Sequence, residues 1–143
     1  AEGGTVGSLE PKLTVSGGIV STAGITPDTR YPWGQCTWWA ATRRADIGKP
    51  IPGWGNAATW AGSAASAGYT VDGSPSAGSV IVFQPGVLGA SAGYGHVAMV
   101  EEVRGDGSIL ISESNVLGLG VVSTREISAS QLAAAGSGVR YIH

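Results

Sequence analysis

Apolar and polar positions change rhythm twice along this chain. Residues 1–30 carry no period: single Val and Ile residues are scattered among Gly, Ser and Thr, the composition of a linker or an irregular arm. Val15, Ile19, Val20 and Ile25, spaced by small residues, suit addition to a sheet edge or an open groove. We expect the arm to pack on the outer surface of the domain, away from Cys36. Tyr31 precedes Pro32 and is held extended. From Cys36 the run through Ala45 reads as a helix that Gly48 and Pro50 stop. A second helix is expected from Asn56 as N-cap through Ala57 to Ala67, closed by Gly68, with Trp60 and Ala64 one turn apart on its core face.

After Gly78 the rhythm becomes that of strands. Ser79–Phe83, His96–Val103, Ser108–Asn115, Val121–Ile127 and Val139–Ile142 are the expected strands, and residues 85–95 form a Gly-rich loop. Arg104-Gly105-Asp106-Gly107 is a hairpin signal. Helices followed by antiparallel strands make one α+β domain, residues 31–143, long enough for a real core.

Composition narrows the function. Hydrophobic residues are 43%, charged residues 13%, and Gly accounts for 24 of 143. So few charges on a Gly/Ser/Ala-rich surface lean toward an exported protein. The net charge of −2 lacks the basic footprint of a nucleic-acid binder. Arg43-Arg44, the one adjacent basic pair, reads as a solvated helix face. No stretch reaches the ~20 apolar residues of a membrane span. The chain starts at Ala1 without a basic, apolar-cored leader, which reads as a mature or excised fragment. One cysteine allows neither an internal disulfide nor a multi-thiolate zinc site.

That cysteine is placed for chemistry. A thiolate is favoured at a helix start, where free N–H groups and the positive end of the dipole stabilise the anion. The same N–H groups, with Gln35, are candidates to hold the oxyanion of a tetrahedral intermediate. Elsewhere a lone Cys is often a small buried hydrophobe; here Gly34 and Gln35 set a turn that exposes it. Of two histidines, His143 ends the chain, and His96 opens a strand after a flexible loop. If the hairpin turns on two residues, His96 shares a sheet face with Glu113 and Asn115, and Ala98, Val100, Ile109 and Ile111 on that face form an apolar bed for the Cys36 helix. A three-residue turn would flip one strand and break that relation.

Together, Gly34-Gln35-Cys36-Thr37-Trp38-Trp39-Ala40, Trp54-Gly55-Asn56-Ala57 with Trp60, Gly95-His96-Val97-Ala98, Glu113-Ser114-Asn115 and the closing Tyr141-Ile142-His143 resemble the CHAP domain (cysteine, histidine-dependent amidohydrolase/peptidase). The resemblance runs from Tyr31 to His143. It implies a papain-like fold and a secreted bacterial or phage hydrolase of peptidoglycan in the cell wall, with Cys36 as nucleophile, His96 as base, Glu113 orienting the imidazole and Asn115 an accessory polar group. Some members bind calcium through acids upstream of the cysteine; here only Asp28 is near, so no metal or other cofactor is expected. Tyr31, Trp33, Trp54 and Tyr94 are candidates to line a substrate groove, whereas Trp38, Trp39 and Trp60 read as core. The scissile bond is either the N-acetylmuramoyl-L-alanine amide or a peptide bond of the stem or cross-bridge. The competing readings are an inactive wall-binding or adhesion module on the same fold, and a zinc site of Cys36, His96 and Glu113. Further domains of a longer parent chain fit either.

Overall fold

The computed structural model describes Leu13, Val15 and residues 17–143. Among these are three α-helices, α1 (Cys36–Asp46), α2 (Trp60–Ser66) and α3 (Ala129–Ala135). Six strands, β1 (Val71–Asp72), β2 (Val80–Phe83), β3 (His96–Val103), β4 (Ile109–Ser114), β5 (Val122–Ile127) and β6 (Val139–Ile142), form one sheet in the order β1-β6-β2-β3-β4-β5. Every pairing is antiparallel. This is an α+β fold.

The α1 helix lies on the face that carries Val80, Val82, Val97, Met99 and Ile142, with Trp38, Trp39 and Trp60 in the same core. The bed expected from Ala98, Val100, Ile109 and Ile111 lies on the opposite face, beneath α3 and the loop of Val87, Leu88 and Ala90. The reason is local: β2 and the first half of β3 are apolar on both faces, so alternation did not choose the helix's side.

The basic pair of α1 is a second correction. Arg43 and Arg44 are buried rather than solvated. Arg43 donates to both oxygens of Glu101 (3.2 and 2.8 Å), to Asp46 (2.8 Å) and to the Leu13 carbonyl (2.9 Å). Arg44 donates to the carbonyls of Lys49, Gly78 and His143. A buried guanidinium is tolerated only when its donors are matched, and these two are.

The β3–β4 hairpin turns on three residues, not two. Arg104 N–H donates to Ser108 O (2.9 Å) and Gly107 N–H to Arg104 O (3.0 Å), with Gly107 left-handed at φ +86°. That alone reverses the parity, as expected. A bulge between Val100 and Glu102 restores it, because the ladder runs Val103↔Ile109 and Glu102↔Leu110 but then Val100↔Ile111 and Met99↔Ser112. Two one-residue offsets cancel, and His96 keeps the face of Glu113.

Two elements were not foreseen. The α3 helix has a reciprocal cap, in which Ser128 Oγ accepts from Gln131 N–H and Gln131 Oε1 accepts from Ser128 N–H. Strand β1 is two residues paired with β6. The second helix is also split, with a 3₁₀ turn at Ala57–Thr59 ahead of α2 and no side-chain cap from Asn56. Part of the arm pairs with β5: Val20 N–H donates to Val122 O (2.8 Å) and Thr124 N–H to Gly18 O (3.0 Å).

Candidate active site

Two glycines bring the segments of Cys36, His96 and Glu113 together. Gly34 has φ +82°, and a Cβ there would stand 2.7 Å from the Gly120 nitrogen. Its carbonyl accepts from Gly120 N–H (3.1 Å) and Ser114 Oγ (2.7 Å), which pins the turn before Cys36 to the end of β4. Gly95 has φ +71°, and a Cβ would meet the Phe83 carbonyl at 2.6 Å. Only glycine lets the chain enter β3 so close to β2.

Cys36 is the first residue of α1, and no acidic residue in the first turn competes for the N–H groups there. The His96 ring is buried between strands, 5.5 Å from the Phe83 ring. Its Nε2 is 2.9 Å from Glu113 Oε1, which leaves Nδ1 as the ring nitrogen available to Cys36. Glu113 is buried, and Arg125 from β5 donates Nε to Oε2 (3.0 Å) and Nη2 to Oε1 (2.9 Å).

These contacts set the charges. Burial pushes the Cys36 thiol up, but the hydrogen bond and charge of His96, with the N–H groups of Val97 and Thr37, outweigh it and hold the thiol below its ordinary value. Burial likewise opposes the imidazolium. Its hydrogen bonds to Cys36 and Glu113, and their charges, push His96 up to about 9. Glu113 is held below the usual carboxylate range: burial opposes ionisation, but His96 and Arg125 overcome it. Both shifts favour the thiolate–imidazolium form of the pair.

A family model for the CHAP domain matches residues 26–115. This chain belongs to the CHAP domain family. An N-acetylmuramoyl-L-alanine amidase domain-containing protein of Staphylococcus aureus is 46% identical over 107 residues, covering 74% of this chain and 17% of the relative. A probable autolysin of that species, SsaALP, is 43% identical over 143 residues, covering 99% of this chain and 49% of the relative. A crystal structure of an N-acetylmuramoyl-L-alanine amidase from S. aureus aligns with a TM-score of 0.74 and 42% identity, over 80% of this chain and 31% of that one. The chain thus spans less than half the length of each of these relatives.

In this CHAP domain Cys36 lies where two cavities meet. One, of about 490 Å³, is lined by His96, Asn115, Leu88, Ser91, Val116 and Arg125. The other, of about 400 Å³, is lined by Arg30, Tyr31, Pro32, Gly53, Asn56 and Ala57. Gln35, Cys36, Tyr94 and Gly95 border both. Asn115 leaves the strand at φ +65° and donates to Gln35 Oε1 (3.0 Å) instead of facing His96 across the ladder. Of the four groove aromatics, Tyr94 stands exposed on the ridge between the cavities. Tyr31 is buried beneath its cavity, its hydroxyl bonded to Pro52 O and Trp54 N–H. Trp54 packs edge-on against Trp60 and Tyr69, and Trp33 rests on Trp38 and Gly120; neither lines either of these two cavities.

Sequence reasoning missed Arg125. The signal was present, because it alternates with Ser123 and Ile127 on the face of Glu113, an acid otherwise stranded there. The zinc arrangement is not built: among the described residues no three His, Cys, Asp or Glu side chains gather to hold a metal. His143 is elsewhere, bonded to Asp72 and Ser76 beside β1.

Proposed function

We propose that this chain is the catalytic domain of a secreted, wall-associated peptidoglycan hydrolase that cleaves the amide between N-acetylmuramic acid and L-alanine through a thioester on Cys36. The observation that carries this reading is the Cys36–His96–Glu113 array at the junction of two cavities. The choice of bond follows the names of the relatives.

In the first half-reaction the Cys36 thiolate attacks the carbonyl carbon and forms the C–S bond. The oxyanion is held by N–H groups of the first turn of α1 and by Gln35 Nε2, the donor left to that amide once Oε1 is bonded to Asn115. The intermediate collapses, the C–N bond breaks, and the His96 proton goes to the leaving amine. Neutral His96 then takes a proton from water as it attacks the thioester, releasing the carboxylic acid and restoring the thiolate. The leaving amine must lie against His96, so the stem peptide occupies the cavity of Leu88, Asn115 and Val116. The muramoyl side occupies the cavity of Arg30, Tyr31 and Asn56.

Residues 1–30 act as an arm rather than a brake. Among its described residues up to Thr29, none lines either cavity. Deleting residues 1–29 should lower stability by several kcal/mol without raising specific activity, measured by denaturant melts and wall lysis.

Mass spectrometry of muropeptides after digestion tests the reaction. Free L-alanine amino ends and intact glycan are expected, and new ends within the stem or cross-bridge would make the enzyme an endopeptidase. Rapid iodoacetamide labelling of Cys36 at pH ~6.5 is expected of an activated thiolate, and slow thiol-like labelling would favour a wall-binding module.

A further inference from the structure

Arg125 joins two parts of the site that the reaction uses separately. Its Nη2 and the His96 Nε2 both reach the same oxygen, Glu113 Oε1, each at 2.9 Å. Its third nitrogen, Nη1, donates to the Leu88 carbonyl at 2.7 Å. Leu88 is one of two non-glycine residues with positive φ among those described, at +50°, and it lines the cavity on the His96 side. The guanidinium lies 5.4 Å from the centre of the Phe83 ring, which itself packs against His96. One planar group thus bonds the carboxylate behind the imidazole and a strained wall of the leaving-group cavity.

We propose that Arg125 is a positioning residue that shares the Glu113 carboxylate with His96, so limiting how tightly the imidazolium holds its proton, while fixing Leu88 for the leaving group. The first effect is electrostatic. The charged or titratable groups facing His96 are Cys36 from α1, Glu113 from β4 and, through Glu113, Arg125 from β5; β2 contributes only the Phe83 ring. Arg125 is the one permanent cation among them. Without it Glu113 turns wholly to His96, and the imidazolium becomes a weaker acid toward the leaving amine. The second effect is geometric. A left-handed leucine persists only where its surroundings hold it, and Arg125 is bonded to its carbonyl.

The proposal rests on the thiol reading of the site, yet its first test needs no turnover. In a Cys36→Ala background, His96 is titrated by NMR with and without Arg125→Gln. Loss of Arg125 should raise the His96 pKa by about one unit. An unmoved or lowered value in a folded protein overturns the electrostatic part. In the Cys36 enzyme, Arg125→Lys keeps the charge but cannot span Glu113 and Leu88 together. KM for soluble muropeptide should rise several-fold with the alkaline limb unmoved, and an unchanged KM overturns the geometric part. If Arg125→Gln does not fold, the lysine variant is titrated in its place: a His96 value within a few tenths of the parent is required, and a larger shift overturns the role given to charge.

Discussion

Two arginines in this domain grip a buried glutamate at two points, one on each face of the sheet, and they serve opposite ends. Arg43 and Glu101 are sealed: their side chains are 0% and 1% exposed, and Asp46, Ser112 Oγ and the Leu13 carbonyl are their further partners. Arg125 and Glu113 have the same geometry, but a third of the arginine side chain is open to the cavity and one carboxylate oxygen is divided with an imidazole. In the sealed pair no imidazole shares the carboxylate, so its energy goes into holding α1 on the sheet at one position. In the open pair one partner titrates, so the same contacts govern a proton. What separates structure from chemistry here is the neighbour, not the ion pair.

The comparison breaks most visibly at Cys36. Cys36→Ala or Cys36→Ser should abolish wall lysis while stability moves by no more than about 1–2 kcal/mol, since either residue fits the small site. Retained lysis in both variants would remove the open pair's purpose. On the sealed side, Glu101→Ala should cost about 3–5 kcal/mol by stranding Arg43, read from denaturant melts.

Glu113→Gln is the intermediate case. Turnover should fall about 10- to 100-fold, and further than in Asn115→Ala, because an amide can orient the imidazole but not stabilise its charge. The sign of the pH effect follows from the pairing. In the parent, kcat/KM should rise as Cys36 ionises, below its ordinary value, and fall as His96 loses its proton at about 9. With an amide in place of the Glu113 carboxylate, the imidazolium loses its counter-charge and the alkaline limb moves down. The thiolate then loses the imidazolium and its limb moves up, so the bell narrows from both sides. Limbs that stay in place would put Glu113 in the same class as Glu101. The smallest effect belongs to Ser128→Ala, which removes the α3 cap beyond both pairs. It should cost about 1 kcal/mol in thermal melts and leave the pH profile untouched.

Much of this was legible in the chain, and what was not has identifiable causes. The bounds of β3 and β6 and the start of α1 follow from turn glycines and apolar runs. Cys36 and His96 stood out because the chain holds one cysteine and one histidine away from its end. The α3 helix was passed over although Ser128 and Gln131 have capping-box spacing, since its apolar residues are mostly alanines with little amphipathic signal. Arg43 and Arg44 were misjudged because a charge looks solvated until its partners, 58 and 99 residues away, are known. Asn115 was placed in the site, but its left-handed turn toward Gln35 is not encoded in strand alternation.

The cancelling offsets in the β3–β4 hairpin constrain how such a chain can change in length. A one-residue loss from Gly105–Gly107 would be harmless on most surfaces, since loop tips tolerate insertion and deletion. Here it would leave the bulge uncorrected and turn either His96 or Glu113 to the other face. A second deletion, at the bulge, would restore the pairing but remove the extra position that carries Glu101 to Arg43. Viable length variants of this hairpin should therefore arrive as coupled pairs of changes, with the partner of Arg43 re-supplied from another position.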